Sequence, residues 1–119
     1  MIGDWVFENC ISLESIDIPA NVTSINISAF EKCSGLRNIT IPANVTKIKY
    51  NAFADCNNLT SIEILGDITA IEKSTFNECT KLRAIYVPAK KTDYYNVRLK
   101  VQLWKYIVEL APVKKAKKK

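Results

Sequence analysis

Four cysteines set the register of this chain: Cys10, Cys33, Cys56 and Cys79, each 23 residues after the last. Three residues before each stands a phenylalanine (Phe7, Phe30, Phe53, Phe76), and three after each a leucine (Leu13, Leu36, Leu59, Leu82). Three columns in phase at one period mark a repeat architecture, in which each unit buries its apolar face only against its neighbours. This constrains the fold far more than it constrains the function.

The first complete copy runs Leu13-Glu14-Ser15-Ile16-Asp17-Ile18-Pro19, then Asn21-Val22-Thr23, Ile25, Ala29-Phe30 and Cys33. The second repeats it with Leu36, Ile39, Ile41, Pro42, Val45, Ile48, Phe53 and Cys56. The third has Leu59, Ile62, Ile64, Ile68, Ile71, Phe76 and Cys79, with Leu65 and Gly66 where a proline turn is expected. The fourth opens with Leu82, Ile85, Val87 and Pro88 and then departs. A half copy precedes the first: Ile2 matches Ile25, and Val6-Phe7 matches Ala29-Phe30.

Leu-x-x-Ile-x-Ile closes in period-2 alternation, which predicts a short strand with one buried face near 14–18, 37–41, 60–64 and 83–87. The following proline cannot donate to a ladder and ends the strand. Val-Thr-x-Ile predicts a second extended segment on another side of the coil. Ser28, Asn51 and Ser74 are expected to cap a single helical or 3-10 turn, with Ser28 and Glu31 as a capping box. Stacked coils align the strands into a parallel ladder, giving an α/β repeat solenoid. Its inward columns are read as core.

Residues 1–12 supply a partial N-terminal coil and 13–88 the repeats. After Pro88 the pattern changes. Thr92 or Asp93 is placed to start a helix carrying Tyr94, Tyr95, Val97 and Leu99, and Val101, Leu103, Trp104, Tyr106, Ile107 and Leu110 follow. Residues 89–113 are read as a C-terminal cap and 114–119 as a disordered lysine tail. The N-terminal coil has no such cover beyond Trp5, so self-association there is one alternative.

The motif Leu-x-x-Ile-x-Ile-Pro-x-x-Val-Thr-x-Ile-x-x-x-Ala-Phe-x-x-Cys resembles the BspA-like, or Treponema-type, leucine-rich repeat over residues 2–88. The resemblance implies a right-handed superhelix with the parallel sheet on its concave side. It also implies a bacterial or protist surface or secreted protein that adheres to host or cell-surface proteins. Two departures stand out: the Leu65-Gly66 turn, and an N-terminus without the basic and apolar regions of a signal peptide. If Met1 is the true start, a cytoplasmic protein is the alternative.

The net charge of +5 is uneven. Residues 1–89 carry 7 basic and 10 acidic side chains, whereas 114–119 carry five lysines and no acid. A terminal lysine run is most often a solvated tail, and no basic-aromatic surface in the repeats points to nucleic acid or membrane. No stretch approaches the ~20 apolar residues of a membrane span. The cysteine spacing suits neither paired zinc ligands nor facing disulfide partners, so the thiols are read as reduced, buried hydrophobes.

Nothing points to an enzyme or a cofactor. Histidine is absent, and the three glycines are isolated rather than forming a phosphate loop. Asp17 and Glu63 share an outward column two coils apart, roughly 10 Å by strand spacing, beyond the distances usual for paired glycosidase carboxylates. Five N-x-[ST] sequons occur, at Asn21, Asn26, Asn38, Asn44 and Asn58. An Asn/Thr-rich repeat produces them by composition, and in a bacterium glycosylation is not expected. The candidate protein-binding face comprises Asp17, Arg37, Asn38, Thr40, Glu63, Arg83 and Tyr86 on the outward strand positions. Tyr86, flanked in the columns by Arg37 and Arg83, is its best single anchor.

Overall fold

The computed structural model describes residues 1–72, 74–95 and the backbone of 107–109. Two parallel sheets run along the stack. The larger contains β2 (Asn38–Ile41), β4 (Ser61–Ile64), β6 (Ala84–Val87) and β7 (Ile107–Glu109), in that order. The smaller contains β1 (Ser24–Ile25), β3 (Lys47–Ile48) and β5 (Ala70–Ile71). The register follows the repeat: Ile39 pairs with Ile62, and Ile62 with Ile85.

Alternation sets which side chains enter the core. In β2, Ile39 and Ile41 are buried while Asn38 and Thr40 are exposed, as a pleated strand requires. Phe7, Phe30, Phe53 and Phe76 form one column of stacked rings, with centroids 5.1, 5.2 and 5.6 Å apart and planes within 11° of parallel. The middle rings, Phe30 and Phe53, have no exposure at all. Column ends are less covered, and Phe7, Leu13, Ile16 and Ile71 are only partly buried. The half copy stacks in register: Ile2 bridges Ile25, and the Phe7 N–H donates to the Ala29 carbonyl.

Two expectations need correction. First, Glu14–Ile18 forms no strand. This segment has a neighbour on one side only, and its link to the next coil is one long bond, Arg37 N–H to the Glu14 carbonyl at 3.4 Å. The other three strands begin one residue later than predicted. Arg37 and Asn38 are both exposed, so alternation starts only at position 38.

Second, Ser28, Asn51 and Ser74 cap no helix. They have φ of 55°, 58° and 61°, and Lys32, Asp55 and Glu78 four residues on have 64°, 59° and 61°. An N-cap residue has β-region dihedrals, not left-handed ones. The Glu31 N–H goes to the Ser28 carbonyl rather than to its hydroxyl. N–H groups alternate along this arc. Those of Ser28, Phe30 and Lys32 donate to the next coil, at Tyr50, Ala52 and Ala54, and those of Ala29, Glu31 and Cys33 close local turns. A helix would direct every N–H along its own axis, leaving none for the next coil.

Trp5, at the N-terminal end of the stack, is 52% exposed.

Beyond the fourth repeat, residues 92–95 are helical and β7 adds to the large sheet beside β6. The remaining predicted cap residues, among them Val97, Leu99 and Trp104, and the lysine tail lie outside the described residues.

Candidate functional site

The outward face of the large sheet carries most of the predicted site. Register places Asn38 opposite Ser61 and Ser61 opposite Ala84; it also aligns Thr40, Glu63 and Tyr86. Residues i and i+2 of a strand share a face, so these six positions form two adjacent rows. The rows are tied by side chains. The Ser61 hydroxyl donates to Asn38 Oδ1 at 2.5 Å, and the Thr40 hydroxyl donates to Glu63 Oε1 at 3.2 Å. Thr60 adds a longer bond to Asn38 Oδ1 at 3.5 Å.

These bonds orient what remains free. With Asn38 Oδ1 taken by hydroxyls, its Nδ2 amide faces outward as a donor. With Glu63 Oε1 occupied, Oε2 is left as an acceptor. Tyr86, half-buried, stands beside Glu63 on β6. The face thus presents a donor, a carboxylate and an aromatic ring with their orientations partly set.

Asp17, Arg37 and Arg83 are placed differently. Arg37 and Arg83 are exposed but precede β2 and β6, outside the pleat that aligns Thr40 with Glu63 and Tyr86. They lie two coils apart, about 10 Å by strand spacing. Among the described residues no hydrogen bond or ion pair joins either arginine to Tyr86. Asp17 is exposed on the unpaired segment before the sheet. Conversely, Ser61 and Thr60 belong to the array although neither was counted as a site residue. The signal was present: a hydroxyl residue directly beside Asn38 in the repeat alignment.

The cysteine column is more than apolar filling. The thiols of Cys33, Cys56 and Cys79 donate to the carbonyls of Phe7, Phe30 and Phe53, at 3.0, 3.2 and 3.1 Å. All four cysteines are unbridged; Cys33 and Cys56 are buried, Cys10 and Cys79 partly so. Burial pushes the Cys33 thiol up from the usual 9.0 to about 11. Cys56 also moves up, through the neighbouring Cys79 thiol and then through burial. Cys79 moves down, because the Cys56 thiol beside it favours its thiolate. Such a pair releases its protons one early and one late. Among the described residues no three metal-ligating side chains converge.

Stacked coils, parallel ladders and in-phase Leu, Phe and Cys columns define a leucine-rich repeat protein. The family model for the BspA type leucine rich repeat region matches residues 1–99 in six copies, and the chain belongs to that family. None of the curated proteins compared with the chain matches it. Repeats of this family are typically non-catalytic and suggest a protein-interaction module, and its members are usually surface-associated. Among the described residues no helix is long and apolar enough to cross a membrane.

Proposed function

We propose that this chain is a non-catalytic adhesion module that binds a host or cell-surface protein through the outward face of its large sheet. The observation that carries the reading is the Asn38–Ser61 and Thr40–Glu63 hydrogen bonding, which presents oriented polar groups beside Tyr86. Groups held in place before binding lose less entropy on contact. Arg37 and Arg83 lie at the margin and add charge to the approach. The sheet is narrow, so each contact is weak and gains from repetition in a longer array. Residues 89–113 act as the closing unit, a reading supported by β7 beside β6.

The test is binding of the labelled chain to intact host cells and immobilised extracellular-matrix proteins. Tyr86→Ala and Arg37→Ala are expected to weaken binding without lowering the melting temperature. Unchanged binding in both variants would remove the concave face from consideration.

A second reading is a structural spacer that self-associates through its N-terminal coil. Met1, Trp5, Val6 and Ile11 are exposed there, and Glu14–Ile18 has no strand partner. Sedimentation that shifts with dilution supports it; a monomer at every concentration sinks it.

A further inference from the structure

We propose that Asn21 is an acceptor site for an N-linked glycan, and that the fold withholds the other four sequons. Sequence alone treats the five N-x-[ST] motifs alike. A sequon serves as acceptor when its asparagine amide nitrogen and the hydroxyl two residues on are both reachable. The structure separates the five on that criterion.

Asn44 donates its amide to the Ala20 carbonyl at 3.0 Å, and its partner Thr46 gives its hydroxyl to the Thr23 carbonyl at 3.4 Å. The Asn58 amide donates to the Ser34 carbonyl at 2.7 Å, while Thr60 donates to the Arg37 carbonyl at 3.1 Å. Asn26 has its amide on Met1 Sδ and a buried Oδ1, and its partner Ser28 is 3% exposed. Asn38 keeps a free Nδ2, but it sits within β2, its Oδ1 is held by Ser61, and the Thr40 hydroxyl is bound to Glu63.

Asn21 and Thr23 differ on each count. Both are exposed, and among the described residues neither side chain makes a hydrogen bond. Between them Val22 is buried, which directs its two neighbours outward. The Val22 N–H closes a turn on the Pro19 carbonyl at 3.1 Å, so Asn21 stands at the third position of a reverse turn. A glycan there projects from a turn rather than from the packed face of a sheet.

The donor is a lipid-linked diphosphate oligosaccharide. The Asn21 amide nitrogen forms a bond to the anomeric carbon, and the bond from that carbon to the diphosphate oxygen breaks. The lipid diphosphate leaves with the electron pair, and the amide proton passes to a base of the transferase. No oxidant or reductant is required. Use of the site in a cell rests on the surface-adhesion reading above and on a protist rather than a bacterial source, whereas the chemistry can be tested outside the cell.

The experiment incubates the folded 119-residue chain with a purified single-subunit oligosaccharyltransferase and its lipid-linked donor, followed by intact mass and peptide mapping. A urea-unfolded, rapidly diluted sample runs in parallel. The expected result is one glycan on the folded chain, mapped to Asn21 and lost in both Asn21→Gln and Thr23→Ala. The unfolded sample is expected to carry glycans at further sequons. A folded chain left unmodified, or modified first at Asn38, Asn44 or Asn58, overturns the proposal, as does an unfolded sample never modified at Asn21. Cell binding by Asn21→Gln is expected to equal that of the parent chain. The two proposals therefore fail separately.

Discussion

The backbone N–H of Ile68 donates to the hydroxyl of Tyr95 at 2.9 Å, and that hydroxyl in turn donates to the Gly66 carbonyl. In the two preceding coils the equivalent N–H groups, of Val22 and Val45, close turns on Pro19 and Pro42. The third coil has no proline there, and a tyrosine from beyond the fourth repeat does that work instead. Gly66 answers a separate constraint: a Cβ at that position would run into the Ala43 carbonyl oxygen of the preceding coil. Tyr95→Phe keeps the ring and removes the bridge, leaving a buried donor and acceptor unmet. It is expected to lower stability by about 1–3 kcal/mol, read as a lower urea midpoint with unchanged slope.

Phe53 stands third in the ring column and is fully buried, whereas Phe7 at the end is only partly covered. Stability in a stack sums over coils and their interfaces, so removing the inner ring disturbs two interfaces and removing the outer ring one. Phe53→Ala is expected to cost about 3–5 kcal/mol, enough to unfold so short a stack, and Phe7→Ala clearly less. Equal melting temperatures for the two variants would contradict the stacking order.

The inward columns were legible because each coil offers the same environment at the same position, so identity itself repeats. The arc between Ile25 and Cys33 was not. Across the repeats its left-handed residues include Ser28, Lys32 and Glu78, types that do not announce positive φ. The hint lay in the aligned positions, where Asn9, Asn51 and Asp55 are the types most tolerant of that region. Reading Ser28 with Glu31 as a capping box assigned to a helix what inter-coil hydrogen bonding had already claimed. On the outward face, the Thr40–Glu63–Tyr86 row could be read from the period. That Arg37 falls outside the pleat could not, since a repeat alignment does not say where alternation begins. The Leu65-Gly66 departure was visible, but the Ala43 backbone that leaves no room for a Cβ at Gly66, and the Tyr95 hydroxyl that bridges the turn, are neighbours only in space.

Lys32 gives a direct check on the left-handed arc. It is exposed with φ of 64°, so its own side chain contributes little packing. Lys32→Asn places a residue that accepts this region and is expected to match or slightly exceed the parent stability. Lys32→Val adds β-branching at a positive φ that such residues rarely adopt, and is expected to be clearly less stable than both the parent and Lys32→Asn. If the position were a helix interior, the two variants would differ by no more than a few tenths of a kcal/mol, given their similar helix propensities.

Cys33 ties the core to alkaline pH. Its thiol keeps its proton to about pH 11 in the folded chain, against the usual 9.0 when unfolded. Below pH 9 both states are protonated, and its contribution to stability is intact. Between 9 and 11 the unfolded state sheds the proton while the folded state holds it. Unfolding then releases a proton, and stability falls with rising pH until the folded thiol also ionises. The comparison is with Cys33→Ala, in which this thiol is gone and the other side chains are kept. The parent's stability is expected to drop more steeply from pH 9 to pH 11 than the variant's, by a slope of about one proton at mid-window. Parallel curves from urea titrations across that range would mean that the thiol ionises equally in both states, and that its bond to the Phe7 carbonyl and its burial do not hold the proton.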